Sequence, residues 1–220
     1  MSEWKNNVDE SCVGEFLPGG GLLYVSNFQT AVNIDRIATK LGITCVVSLS
    51  LNLKNPRELE QYGEHGVQHH QLGVNDTPGA PILDVASQAA DILHSHQGGG
   101  AALVHCDQGI SRSTTAVMLY LCKYHAMSFY QAYTAVASAR KQTKPNPGFT
   151  RSLQTWEWQK QPSVVAWRSE LEASGSSKEE ASKNLSAQRQ AKCCRMWHDA
   201  TTKEDCCSCQ CCFCIASTLT

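Results

Sequence analysis

Apolar residues recur along the first 160 positions in two rhythms, short unbroken runs and helical stripes. "GLLYVSN" (21–27) reads as a strand, and "FQTAVNIDRIATKLG" (28–42) as one helix with Ala31, Ile34, Ile37, Ala38 and Leu41 on a stripe and Gly42 as its stop. "ITCVVSLSL" (43–51) is a β-branched run of the kind found in buried parallel strands, and "GVQHHQLGV" (66–74) predicts a further strand running into the turn-rich "NDTPGAP". Ile82, Val85, Ala86, Ala89, Ile92 and Leu93 form the stripe of the next helix, closed by Gly98, Gly99 and Gly100. "AALVHC" (101–106) is the following buried strand, and "SRSTTAVMLYLCKYH" a strongly apolar helix. Ser128 with Gln131 three residues on is a capping box, and Asn146-Pro147 sets a cap and a first helical position for the last helix.

Strands alternate with helices early and three helices follow in succession. This order predicts an α/β fold, a central, mainly parallel sheet flanked by helices in three layers. The core is expected over residues 12–161, with a polar linker and tail over 162–220, expected to be disordered. No internal repeat is visible.

Composition narrows the function classes. The chain has 220 residues with 19 Lys and Arg against 20 Asp and Glu, a formal net charge of −1, so no nucleic-acid signal is present. "MSEWKNNVDE" lacks the apolar stretch of a signal peptide, and no run approaches the roughly 18 apolar residues of a membrane helix. A soluble protein of the cytoplasm, and of the nucleus as a further compartment, is the expectation. Of twelve cysteines, four (Cys12, Cys45, Cys106, Cys122) are scattered over the first 160 residues and are read as reduced thiols.

Chemistry concentrates in "HCDQGISRS" (105–113), between the strand and the apolar helix. Backbone N–H groups of such a loop, with a helix N-terminus behind them, form a nest for an anion. A cysteine at its base, Cys106, has its thiolate stabilised and becomes a nucleophile at neutral pH. Arg112 brings a two-pronged donor for two oxygens of one phosphate, while Gly109 lets the backbone curl close to it. The phosphate-binding stretch is therefore Asp107, Gln108, Gly109, Ile110, Ser111 and Arg112. Ser113 is placed to stabilise the departing thiolate, and His105 is read as a buried support, since an ionised thiol needs no base.

Cys-x5-Arg preceded by His and followed by Ser resembles the signature loop of the cysteine-dependent protein phosphatases, and "HC..G.SRS" the dual-specificity subgroup. The resemblance extends over residues 17–160, through "LYVSNFQTAVNIDRIATKLGITCVVSLS" and "PNPGFTRSLQTWE". It implies a small, atypical dual-specificity phosphatase without the regulatory domain of the classical kinase phosphatases. It also implies removal of phosphate from phosphotyrosine, phosphoserine and phosphothreonine through a phosphocysteine intermediate, in a shallow pocket and without metal ion or cofactor. Phosphorylated proteins, signalling kinases among them, would be the partners.

Such a reaction needs a proton donor. Asp76, in the turn-rich loop 30 residues before Cys106, is the candidate, and "D.P....D" resembles the family's general-acid loop. Asp84, at the start of a helix, is read as complementing the helix dipole. Asn146 is either a plain cap or, as the resemblance implies, a support for the signature loop. Asp107 is read as facing outward from the nest. Asp107 and Gln108 depart from the small or apolar residues usual there. A carboxylate beside the pocket repels highly anionic substrates, and without loop lysines phosphoinositides are disfavoured. A phosphate-recognising adaptor with negligible turnover, or a phosphatase of a non-protein substrate, stand as alternatives.

Eight cysteines fall between Cys193 and Cys214. They are read as S-acylation sites, the one route by which a membrane would enter, as a soft-metal cluster with His198, or as having no dedicated role. Elsewhere Cys122 is read as core packing, a Cys45–Cys106 disulfide is a minor alternative, and His69-His70 are read as strand surface.

Overall fold

A computed structural model describes residues 9–51, 56–96, 100–160 and Val165. The linker, the cysteine cluster and His198 lie outside these residues, as do Gly98 and Gly99. Five strands form one sheet in the order β1-β2-β5-β3-β4. They are β1 (Glu10–Leu17), β2 (Gly21–Ser26), β3 (Ile43–Ser48), β4 (Gln68–Gln71) and β5 (Ala101–His105). β1 and β2 form an antiparallel hairpin, and β2, β5, β3 and β4 run parallel, as the strand–helix alternation predicts.

The central strands read as unbroken apolar runs because both faces of the sheet are covered. In β5 the side chains of Ala102 and Val104 join one core, with Ala86 and Leu93 of α3 (Ile82–Ser95), Met118 and Leu121 of α4 (Arg112–Tyr124), Val136 of α5 (Phe129–Ala139) and Phe149 of α6 (Pro147–Lys160). Ala101 and Leu103 point the other way, to Ala31, Ile34, Ile37 and Tyr62. Tyr62 belongs to α2 (Pro56–Glu64), and its hydroxyl donates to the Ala31 carbonyl at 2.8 Å. Two compact units divide the chain, residues 1–157 and 158–220. The described part of the second is the end of α6 and Val165.

Two expectations are corrected here. The helix expected over 28–42 is broken into α1 (Phe28–Ala31) and a π-helical turn (Asp35–Lys40). Asn33 causes the break: its N–H donates to the Thr30 carbonyl and its side-chain oxygen accepts from Arg36 N–H, a local alternative to continuous helix. His69 is not strand surface. It is half-buried and stacks on Tyr62 with ring centroids 4.7 Å apart, and burial pushes it down to about 4. His70, on the opposite face, lines a cavity with Cys45, Ile92 and His96.

The capping box of α5 is formed as expected, with the Ser128 and Gln131 side chains each accepting the other's backbone N–H. All four parallel strands end at one edge of the sheet. There the loops after β3, β4 and β5 meet, and this edge is where α/β sheets bind ligands.

Candidate active site

β5 delivers Cys106 to that edge, 1 % exposed, and the chain turns through residues 107–111 into α4. Every carbonyl of the turn is pinned from outside. Asp107 O accepts from Phe28 N–H at 3.1 Å, and Gln108 O and Gly109 O accept from the Arg140 guanidinium. Ile110 O accepts from Lys144 N–H and the Thr114 hydroxyl, and Ser111 O from the Thr114 and Thr115 hydroxyls. In a trans peptide the N–H points opposite to the C=O. The N–H groups of residues 108–112 therefore point away from the groups that hold these five carbonyls. Gly109 takes φ of 68°, and its N–H donates to Cys106 Sγ at 3.2 Å. A Cβ there would lie 2.4 Å from the Ser26 carbonyl, so only glycine fits.

The Ser113 hydroxyl lies 3.3 Å from Cys106 Sγ. His105 is fully buried, its Nδ1 is 3.4 Å from the Cys106 carbonyl, and burial pushes it down to about 4. A neutral ring is consistent with a support and not with a charged partner of the thiol. Burial also lifts the thiols of Cys45 and Cys122 to about 11 and about 12, which leaves them inert. Cys45 pairs in register with Ala102, four residues before Cys106 along β5, a separation of about 13 Å that no disulfide spans.

Arg112 is 7 % exposed. Its Nη1 donates to the carbonyls of Leu49 (3.4 Å) and Val74 (3.1 Å), which ties the guanidinium to the loops after β3 and β4. Its Nε is buried without a hydrogen-bond partner. Asp107 corrects the sequence reading, for it does not face outward. Its Oδ2 accepts from Arg112 Nη2 at 2.7 Å and its Oδ1 from the Ser50 hydroxyl. Opposite charge won over solvation, because the neighbouring guanidinium is buried and its Nη2 has Asp107 as its hydrogen-bond acceptor. Gln108 is the exposed one of the pair.

Asp76 stands over the same loop. Its Oδ1 accepts from the Ser111 hydroxyl at 2.8 Å and from Asn146 Nδ2 at 2.7 Å, and its Oδ2 is 3.7 Å from Arg112 Nε. Asn146 does both things considered for it. Its Oδ1 caps α6 through Phe149 N–H, while its amide holds Asp76 and its backbone N–H donates to Ser111 Oγ. Asp84 sits in the first turn of α3, as expected.

One functional residue escaped the sequence reading. Arg140, 2 % exposed at the end of α5, holds two loop carbonyls and forms an ion pair with Asp9 at 2.7 Å. In "ASARK" it reads as an ordinary C-terminal cation; only a long-range partner distinguishes it from Lys141.

Residues 23–159 match the family model for the dual specificity phosphatase catalytic domain. The chain is 35 % identical to human dual specificity protein phosphatase 18 over 62 % of its length and 70 % of the relative's. It is also 35 % identical to human dual specificity protein phosphatase 14, over 69 % and 74 %. Among solved structures, a mouse putative dual specificity phosphatase complexed with zinc tungstate is similar with a TM-score of 0.59 and 26 % identity, covering 75 % of this chain and 96 % of that one.

Proposed function

The chain belongs to the dual specificity phosphatase family, and on that premise we propose how its residues divide the hydrolysis of phosphorylated proteins between them. Cys106 Sγ attacks phosphorus as the ester P–O bond breaks. Arg112 and the N–H groups of residues 108–112 hold the non-bridging oxygens, and these donors are fixed before substrate arrives, so the charge of the transition state meets no reorganisation. Asp76 donates a proton to the leaving oxygen. Its Oδ1 is occupied by two donors, which leaves Oδ2 as the oxygen that carries and delivers the proton.

In the second step Asp76, now a carboxylate, takes a proton from water as that water attacks phosphorus. The P–S bond breaks, and the sulfur leaves as a thiolate received by the Ser113 hydroxyl and the Gly109 N–H. Inorganic phosphate is the second product. The observation that carries the reading is the meeting on one loop of Cys106 Sγ with its two donors and a buried Arg112 whose Nε makes no hydrogen bond.

The role of Asp76 is tested with Asp76→Asn on two substrates. Loss of a general acid costs about 10²–10⁴-fold for a phosphopeptide serine ester, a poor leaving group, and far less for an activated aryl phosphate. Equal losses on both would remove Asp76 as the proton donor. Cys106→Ser should be inactive on both.

A further inference from the structure

We propose that Asp107 is a built-in competitor for the phosphate-binding edge of Arg112, which substrate must displace; the inference rests on the phosphatase reading of the same site. A guanidinium binds a phosphate through two parallel N–H donors along one edge. In Arg112, Nη1 is committed to the scaffold through the Leu49 and Val74 carbonyls, so the available edge is Nε with Nη2. Nε is buried without a hydrogen-bond partner, the nearest carboxylate oxygen being Asp76 Oδ2 at 3.7 Å, whereas Nη2 is taken by Asp107 Oδ2 at 2.7 Å. A phosphoryl group bridging the edge therefore expels the carboxylate from Nη2.

The arrangement suits a reversible plug. The Asp107 backbone is fixed, its carbonyl accepting from Phe28 N–H, so displacement needs only side-chain rotation. The side chain is 36 % exposed, which lets the displaced carboxylate reach water. The Ser50 hydroxyl, donating to Oδ1, holds it in the plugged position. A monoanionic carboxylate yields to a dianionic phosphate monoester more readily than to a monoanionic diester. Asp107 thus sets both a threshold concentration and a preference for doubly charged substrates.

The test measures affinity apart from turnover. In the full chain carrying Cys106→Ser, the Kd for inorganic phosphate is measured by calorimetry with and without Asp107→Asn. A charge-assisted hydrogen bond, discounted for its partly exposed carboxylate, predicts about tenfold tighter binding (about 1.4 kcal/mol) in the doubly substituted chain. Ser50→Ala, which removes the hold on Asp107, should tighten binding about threefold and guards against a fold-specific effect of the first variant. At 1 M NaCl, where the screening length is about 3 Å, the tenfold ratio should persist. A ratio within twofold, weaker binding, or collapse of the ratio at high salt would each overturn direct competition.

In the enzyme with Cys106 intact, Asp107→Asn should lower KM for p-nitrophenyl phosphate about tenfold. An inactive parent chain with the affinity ratio intact would fail the phosphatase reading alone; an active parent with an unchanged ratio would fail the inference alone.

Discussion

Replacing Arg140 by methionine keeps most of the side chain's volume and removes its charge and all its donors. The guanidinium is 2 % exposed and has two main tasks, with Nη1 also donating to the Ser11 hydroxyl at 3.3 Å. Nη1 and Nη2 hold Asp9, and Nε and Nη2 hold the Gly109 and Gln108 carbonyls. Asp9 is partly exposed, so losing this ion pair together with the two buried carbonyl bonds costs about 3 kcal/mol, which for a domain of this size lowers Tm by roughly 10 °C. The second task bears on catalysis. With those two carbonyls released, the peptides that carry the N–H groups of Gly109 and Ile110 are free to rotate out of the nest. One preorganised oxyanion donor is worth about 10²–10³ in rate, so kcat/KM should fall about 100-fold in the folded variant. Asp9→Asn separates the tasks, because it weakens the ion pair and leaves the carbonyl bonds. It should lower Tm by a few degrees, at about 1 kcal/mol, with kcat/KM within about threefold of the parent. The assay is aryl phosphate hydrolysis well below both melting transitions, normalised to folded protein. If Arg140→Met hydrolysed within threefold of the parent, or Asp9→Asn were equally damaging, the pinned-carbonyl account of the nest would be wrong.

His105 gives a pH dependence of definite sign. Burial lowers it from 6.5 to about 4, so the unfolded chain binds its proton first, and stability present above pH 6.5 is lost as pH falls towards 4. The difference amounts to roughly 3 kcal/mol, and chemical denaturation at pH 7 and pH 4.5 should show a shallower slope in His105→Gln than in the parent. Identical slopes would contradict a buried, neutral His105. Gly109→Ala places a Cβ 2.4 Å from the Ser26 carbonyl at a φ of 68°. It should destabilise the fold by about 2–3 kcal/mol and abolish measurable hydrolysis, checked by thermal melting and the same aryl phosphate assay.

Most of the nest was legible because its parts are local. The strand, the loop and the helix that present Cys106, Gly109, Arg112 and Ser113 lie within 13 contiguous residues, 101–113. What failed depended on partners distant in sequence. Arg140 meets Asp9 across 131 positions. Asp107 turns inward because Arg112 and Ser50 converge on it, and no single-residue property foretells that. β1 escaped for another reason. Its pairing with β2 shifts register between Cys12 and Gly14 and again between Glu15 and Leu17, which breaks the two-residue rhythm by which strands are read. α2 is nine residues of mostly polar sequence, too short to show a helical stripe. The break at Asn33 shows a side-chain hydrogen bond overriding an apolar stripe that was itself correctly read, since Ala31, Ile34 and Ile37 are all buried.

The central claim is that phosphate passes through the sulfur of Cys106. In Asp76→Asn, water activation in the second step is impaired, so an activated aryl phosphate should load the enzyme faster than the phosphoenzyme is cleared. Rapid quench followed by peptide mass spectrometry should find one phosphoryl group on the peptide that contains Cys106, appearing within the first turnover. Turnover with no phosphoryl group on that cysteine at any time, or persistent hydrolysis by Cys106→Ser, would contradict it.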